Sequence, residues 1–348
     1  MKILKLVLLL LLGITALAMA VNHSLSTPTF DGEISEHFDG DVFVNVDGLA
    51  TDKTPFEVLQ WQLNKPASEW GRVEQAQVKP AVSRAENGHI YTQLINHATF
   101  LIQYDGLNVL TDPVYSKRAS PFSFVGPARW RDPAIAFDDL PAIDVVIISH
   151  NHYDHLDLNT LAELKKKHDP LFIVPLGNSP LLADIGISKI RELDWWQATS
   201  LPSGHVFHAI PAQHWSSRSA TDRRRALWSG FVLETQAGNV IFAGDTGYAR
   251  HFKLIAEKFP NPKLAILPIG AYAPRWFMAD QHMDPAQALQ AHQDLGSEYS
   301  LGMHFGTFEL TNEPPEEPSE LLKKLSAEQG ISNFDSPVHG KVYHFATD

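Results

Sequence analysis

The chain contains no cysteine. That absence removes disulfides, thiolate nucleophiles, iron–sulfur clusters and every zinc site with a sulfur ligand. Positive charge is also in short supply: 28 Lys and Arg stand against 40 Asp and Glu, a formal net charge of −12. This balance argues against nucleic acid, or any polyanion, as a bulk partner. Residues 91–348 show neither an internal repeat nor a linker that would divide them. The remaining composition is ordinary, with 348 residues of which 44% are hydrophobic and 20% charged, enough for a substantial core. Any chemistry must come from oxygen and nitrogen ligands.

The N-terminus has the form of a targeting segment. Lys2 and Lys5 precede an apolar run, Leu6 to Leu12, and Ala18-Met19-Ala20 places small residues at the positions a signal peptidase reads. Residues 1–20 are therefore expected to be a cleaved signal peptide, with an uncleaved anchor as the alternative; the protein is exported, periplasmic or membrane-associated. No Cys follows, so lipoprotein attachment is excluded. Cleavage would remove two Lys and leave 26 basic against 40 acidic side chains, a net −14.

Residues 21–90 are rich in Pro, Asp and Gln with little periodicity, and are expected to form an irregular extension wrapped on a catalytic domain over 91–348. Short β-type runs follow at Tyr91–Asn96, Thr99–Tyr104 and Leu107–Thr111, with an Asp105-Gly106 turn between the last two. Further strands are expected at Ile143–Ser149, Leu171–Val174, His205–Ile210, Trp228–Glu234, Asn239–Ala243, Leu264–Pro268 and Lys341–Phe345. Helical spacing occurs at Leu158–His168, Ala249–Lys258, Pro285–Asp294 and Glu317–Gln329. The Lys165-Lys166-Lys167 run is most simply a helix C-terminus. Strands and helices without strict alternation indicate an α/β fold of two sheets flanked by helices.

The residues that carry chemistry sit where strands end. His150-Asn151-His152-Tyr153-Asp154-His155 follows directly on an apolar strand. Three imidazoles and a carboxylate within six residues suit a borderline metal such as Zn²⁺. Three features at other strand ends complete the set: Gln213-His214-Trp215, Ala243-Gly244-Asp245-Thr246-Gly247 and Met303-His304-Phe305-Gly306. A lone Gly-Asp is usually a turn and a lone His a core residue, but the coincidence of four such sites points to one metal centre.

This pattern resembles the metallo-β-lactamase superfamily, whose signature is His-x-His-x-Asp-His followed by a His, an Asp and a His. The resemblance implies a four-layer αββα sandwich with a dinuclear site along one edge. It implies that His150, His152 and His214 hold one ion, that Asp154, His155 and His304 hold the second, and that Asp245 bridges them. Two Zn²⁺ are expected, with iron or manganese as alternatives. Such a pair lowers the pKa of a bridging water and stabilises charge on a phosphoryl or acyl oxygen, which makes hydrolysis the reaction class. The best-known β-lactam hydrolases have Cys where Asp245 stands, and branches that process transfer-RNA precursors need a basic surface.

The closer resemblance is to the N-acylphosphatidylethanolamine-hydrolysing phospholipase D branch. It rests on Leu110-Thr111-Asp112-Pro113-Val114-Tyr115, Arg118-Ala119-Ser120-Pro121, the metal motifs, and Pro268-Ile269-Gly270-Ala271-Tyr272 running through Pro274-Arg275-Trp276-Phe277-Met278 to Gln281-His282-Met283-Asp284-Pro285. It implies hydrolysis of a phospholipid to N-acylethanolamine and phosphatidic acid, and a homodimer; no nucleic-acid partner is expected, on charge, and peripheral membrane contact would be hydrophobic or zwitterionic. His282 is then the candidate for placing the substrate or protonating the leaving alkoxide. Tyr153, Arg218 and Gln281 are candidates for touching substrate. Asp112 and Asp157 are expected to orient His ligands, and His97 to be structural or orienting. Trp195, Trp196, Trp215, Trp276, Phe277 and Met278 are candidates for an apolar wall or a membrane-contacting lip. The alternatives are a lactonase or small-phosphoester hydrolase on the same site, and an exported protein whose metals are not catalytic.

Overall fold

The computed structural model describes residues 2–49 and 51–347. Helix α1 (Lys2–Leu25) and the short α2 (Pro55–Leu63) precede the first sheet. The first half of the fold comprises β1 (His89–Asn96), β2 (Thr99–Tyr104), β3 (Leu107–Thr111), β4 (Val145–Ile147), α3 (Leu158–His168), β5 (Leu171–Pro175), α4 (Ser179–Asp184) and β6 (Ile190–Leu193). The second comprises β7 (Ala198–Ser200), β8 (Val206–Ile210), β9 (Gly230–Leu233), β10 (Val240–Phe242), α5 (His251–Lys258), β11 (Leu264–Pro268), α6 (Arg275–Met278), α7 (Pro285–Leu295), β12 (Ser300–Met303), α8 (Glu317–Gln329) and β13 (Phe334–Asp335). A final strand, β14 (Tyr343–Ala346), returns to the first sheet.

Two seven-stranded sheets result, ordered β14-β1-β2-β3-β4-β5-β6 and β13-β12-β11-β10-β9-β8-β7. Each half repeats one plan: antiparallel strands first, then parallel ones (β3 to β6, and β10 to β13). Parallel sheets need cover on both faces, which explains the unbroken apolar runs. Strand alternation divides them. Phe100, Ile102, Val145 and Ile147 face the second sheet, in one cluster with Phe231, Ile241 and Leu301. Leu101, Val146 and Ile148 face the other way, onto Leu161 and Leu164 of α3 and Leu182 of α4. Phe252 of α5, Leu289 of α7 and Leu322 of α8 complete the core of the second sheet. The layering is helix, sheet, sheet, helix. Each of these fully buried side chains is worth roughly 1.5–3 kcal/mol relative to exposure.

Helix ends follow their local chemistry. Asp157 caps α3 by accepting from the backbone N–H of Asn159 and Thr160, and the lysine run meets the C-terminal end of the helix dipole. Asp284 caps α7, with Pro285 in the first turn and Gly296 in the left-handed position after its end. The expected helix Glu317–Gln329 is α8 itself.

Elements absent from the sequence-based expectation are α4, α6, β6, β7 and β13, all short; β12, anticipated only as a strand end before His304; and α2, which interrupts a stretch expected to be irregular. Helix α1 also runs through Ala18-Met19-Ala20 without a break, to Leu25. Its Val7–Leu25 segment is long and apolar enough to cross a membrane, and none of it is buried.

Candidate metal centre

All four ligand-bearing segments leave their strands at one edge of the sandwich. The His150–His155 loop follows β4, His214 follows β8, Asp245 follows β10 and His304 follows β12. Close packing makes this convergence possible. Gly244 has φ +63°, and a Cβ there would meet Ser149 Cβ and the Ser229 carbonyl at 2.8 Å.

Two groups of donors form. In the first, His150 Nε2 lies 2.8 Å from His152 Nδ1, which lies 3.3 Å from His214 Nε2. In the second, His155 Nε2 is 3.4 Å from Asp154 Oδ2 and His304 Nε2 is 3.3 Å from the same oxygen. Asp245 Oδ2 joins them, 3.2 Å from His155, 2.9 Å from His304 and 3.9 Å from His214. Sequence reasoning named these seven side chains, and the fold gathers them.

The outer hydrogen bonds fix which nitrogen of each ring can ligate. His155 Nδ1 donates to Asp112 Oδ2 at 2.7 Å, and His214 Nδ1 donates to the Gln281 carbonyl at 3.0 Å. Ser149 Oγ donates to Asp112 Oδ2, so it accepts from His150 Nδ1 at 2.9 Å. The Nε2 atoms of His150, His155 and His214 therefore all point inward, as lone pairs at His150 and His214 and as an N–H at His155, where burial opposes the charge but Asp245 and Asp154 outweigh it and raise the pKa well above the usual range. His152 Nδ1 lies within reach of both the His150 and the His214 lone pairs, and a cation that displaces its proton would find three nitrogen donors converging. Metal–nitrogen bonds of about 2.0–2.1 Å put neighbouring tetrahedral ligands roughly 3.3 Å apart, so a divalent ion fits the first group. His152 Nε2, His304 Nδ1 and Asp245 Oδ1 are buried without a hydrogen-bond partner.

Charge divides the two groups. Burial holds the His150 imidazole well below its usual range and pulls His152 and His214 down to about 3, so all three are neutral donors. At His304 burial also opposes the charge, but Asp245 and Asp154 outweigh it and raise the pKa to about 9. Burial likewise disfavours the Asp154 and Asp245 anions, yet the neighbouring imidazoles hold both well below the usual carboxylate range.

A cavity of about 580 Å³ opens above the cluster. Its floor is His152, Asp154, Asp245, His282 and His304, and its walls include Trp215, Phe277, Met278 and Leu310. His282 Nδ1 stands 3.8 Å from Asp245 Oδ2. Gln281 lines the same wall, while its carbonyl orients His214.

Several expectations are corrected. Arg218 does not face the cavity: its buried guanidinium donates to the carbonyls of Asn151 and Leu156 and stacks 3.7 Å from the Tyr153 ring. Tyr153 in turn donates to the Arg218 carbonyl and packs near Val114 and Phe308. Both brace the metal loop from behind. Asp157 orients no histidine; it caps α3 and holds Ser116. Trp195 packs with Phe38, Phe43 and Trp228 in a separate cluster, and Trp196 lies under Lys258, so neither forms the wall. Residues that the sequence did not flag include Asp52, Lys53, Val58, Trp61 and Arg223, all lining the cavity. The Arg223-Arg224-Arg225 run was the available signal for the last. Asn45 was also missed. Its side chain bonds both the N–H and the carbonyl of His214, so the extension reaches into the metal site.

Fold and donor set together define a metal-dependent hydrolase of the metallo-β-lactamase fold. Residues 107–305 match the family model described as the beta-lactamase superfamily domain, and the chain belongs to that superfamily. It is 36% identical over 252 residues to an N-acyl-phosphatidylethanolamine-hydrolyzing phospholipase D 1 of Caenorhabditis elegans, covering 69% of this chain and 70% of that protein. A metal-dependent hydrolase of Methanopyrus kandleri is 29% identical over 234 residues, 66% of this chain and 90% of that one. Among solved structures, an isothiocyanate hydrolase from Delia radicum gut bacteria superposes with a TM-score of 0.61 at 23% identity, over 74% of this chain and all of that one. The last likeness concerns fold alone.

Proposed function

We propose that the chain is a dinuclear zinc phosphodiesterase of phospholipase D type, hydrolysing N-acylphosphatidylethanolamine to N-acylethanolamine and phosphatidic acid. The observation that carries this reading is the segment from Gly270 to Pro285, which supplies the cavity with Phe277, Met278, Gln281 and His282 directly above the ligands. It sets a polar floor against an apolar wall, as cleavage of a lipid phosphodiester requires. The name of the nematode relative supports the same substrate.

His150, His152 and His214 would hold one ion, and Asp154, His155 and His304 the other, with Asp245 reaching both. Zinc ions there supply Lewis acidity toward phosphoryl oxygens and lower the pKa of water. The protein does the rest. Asp112, Ser149 and the Gln281 carbonyl keep three imidazoles in ligating tautomers. Burial holds His282 well below its usual pKa, so it is neutral and donates a hydrogen bond to a substrate oxygen rather than delivering a full positive charge. Trp215, Phe277 and Met278 exclude water around the acyl portion.

The test is mass spectrometry of products from N-acylphosphatidylethanolamine incubated with zinc-loaded protein, alongside metal analysis and the Asp245→Ala variant. N-acylethanolamine with phosphatidic acid, lost by at least a thousandfold in the variant, is the expected result. A protein that carries two ions per chain and leaves this lipid intact would redirect the reading to a lactone or a small soluble phosphoester.

A further inference from the structure

Helix α2 has two apolar faces and only one of them has a partner. Thr54 and Glu57 form a reciprocal capping box and Pro55 starts the helix, so the helix is well begun. Val58 and Trp61 face the cavity. Trp61 stacks on Phe277 with ring centroids 5.0 Å apart and donates to Asn312. Phe56, Leu59 and Leu63 fall on another stripe, at helical spacing, and are 73%, 54% and 76% exposed. No residue of α2 is buried. Trp276, adjacent to the Phe277 that stacks on Trp61, is 49% exposed and extends this apolar rim.

The second observation is what stands beside the rim. The base of α1 is bonded to one loop: Asn22 donates to Thr221 and accepts from the Ala220 N–H, Ser26 meets Ser219, and the Thr27 N–H donates to Asp222. The next residue, Arg223, pairs with Asp52 at 2.7 Å and donates to the Thr51 carbonyl at 2.9 Å. Thr51 and Asp52 lead directly into the cap of α2. A bilayer-length apolar helix and an exposed apolar lip therefore share one loop at the cavity mouth.

We propose that the Phe56–Leu59–Leu63 stripe of α2 docks on a lipid bilayer, with α1 as the tether beside it, so that the cavity opens at head-group level. This deepens the reading of a lipid substrate and rests on it. A second copy of the chain seated on the stripe would leave the unburied α1 uncovered, whereas one lipid surface takes both. The net charge of −12 selects a zwitterionic surface over an anionic one.

The absence of native cysteine makes the test clean. Full-length chain carrying Leu59→Cys is labelled with a fluorophore and reconstituted into phosphatidylcholine vesicles containing nitroxide-labelled phosphatidylcholine; Lys324→Cys, on α8, is the control. Quenching at position 59 severalfold stronger than at 324 is expected. Equal quenching at the two sites overturns the proposal. So does energy transfer between copies that rises with protein density and protects position 59 from the lipid quencher, since a second copy would then cover the stripe. In parallel, the triple variant Phe56→Ser, Leu59→Ser, Leu63→Ser should lose tenfold or more in turnover of N-acylphosphatidylethanolamine in vesicles while keeping its rate on soluble bis(4-nitrophenyl) phosphate. Unchanged vesicle turnover counts against docking. A parent protein inactive on the lipid removes the substrate reading alone, because the quenching comparison still decides the docking.

Discussion

One buried carboxylate, Asp112, sets two imidazoles at once, His155 directly and His150 through Ser149. His97 has the corresponding place on the other side of the cluster. It sits in the β1–β2 turn at φ +45°, its Nε2 is 3.0 Å from Asp154 Oδ2, its ring lies 4.0 Å from that of His304, and its carbonyl accepts the His304 N–H. His97→Asn keeps a residue that tolerates the left-handed backbone but shortens the reach to Asp154. On the proposed two-ion assignment, the ion at Asp154 should then bind roughly 10–100-fold more weakly while the other is retained, read by cobalt titration and metal analysis; metal held as tightly as in the parent would show that Asp154 needs no such support. A different buried histidine governs acid stability. His251 donates from Nε2 to Thr246 Oγ1 at 3.1 Å, its Nδ1 has no partner, and burial depresses its pKa to about 3. A folded value below the unfolded one near 6.5 means the native state resists protonation, so stability is whole above about pH 6.5 and falls as pH drops toward 3. At pH 4.5 the loss from this group is on the order of 2–3 kcal/mol. His251→Gln should flatten that decline, measured as the difference in urea midpoint between pH 7 and pH 4.5; an unaltered difference would assign the loss elsewhere. The metal ligands were legible in the sequence because each follows an apolar strand within a short motif. Arg218 and Arg223 were not separable, since which of two nearby arginines faces a cavity depends on how the 216–225 loop folds back.

At the scale of elements, legibility followed burial. Strands β2, β3 and β11 are uniformly buried, and their apolar runs mark them without ambiguity. Helices α3, α7 and α8 carry both a period and caps. What escaped were β6 and β7, short and half exposed, whose sequences show no contrast between two faces. Helix α2 escaped for the opposite reason. Apolar residues on both of its faces blur the helical period, and that double character is what lets it line the cavity and face outward. Its attachment is light: one ring stack and a hydrogen bond at Trp61, the Lys53–Asp280 and Asp52–Arg223 pairs before its start, and the Lys65–Glu309 pair after its end. Such partly exposed ion pairs contribute up to about 1 kcal/mol each. Asp280→Ala should therefore leave the melting temperature within about 2 °C of the parent while raising proteolytic cleavage within residues 51–65. Cleavage no faster than in the parent would show that the remaining contacts hold the helix without the Lys53–Asp280 pair.

For the whole molecule, the metal centre is a clasp between the two sheets. The His150–His155 loop belongs to the first sheet through β4, while His214, Asp245 and His304 belong to the second through β8, β10 and β12. Ions held between these segments would bind only the assembled sandwich. Their binding energy is therefore folding energy, about 4 kcal/mol for each site when free metal is a thousandfold above its dissociation constant. In a chain of this size each kcal/mol moves the midpoint by about 1–2 °C. Chelation should thus lower the melting temperature by something on the order of 10 °C, and added zinc should restore it. On the proposed two-ion assignment, His304→Ala would remove a ligand from one ion only and should lose about half of the zinc-dependent increment; Asp245→Ala, which would reach both, should lose nearly all of it. Calorimetry on the parent and both variants, with and without zinc, separates these outcomes. A midpoint indifferent to chelator in the parent would mean that the apolar contact between the sheets holds the sandwich closed without the ions, leaving the metal a catalytic role alone.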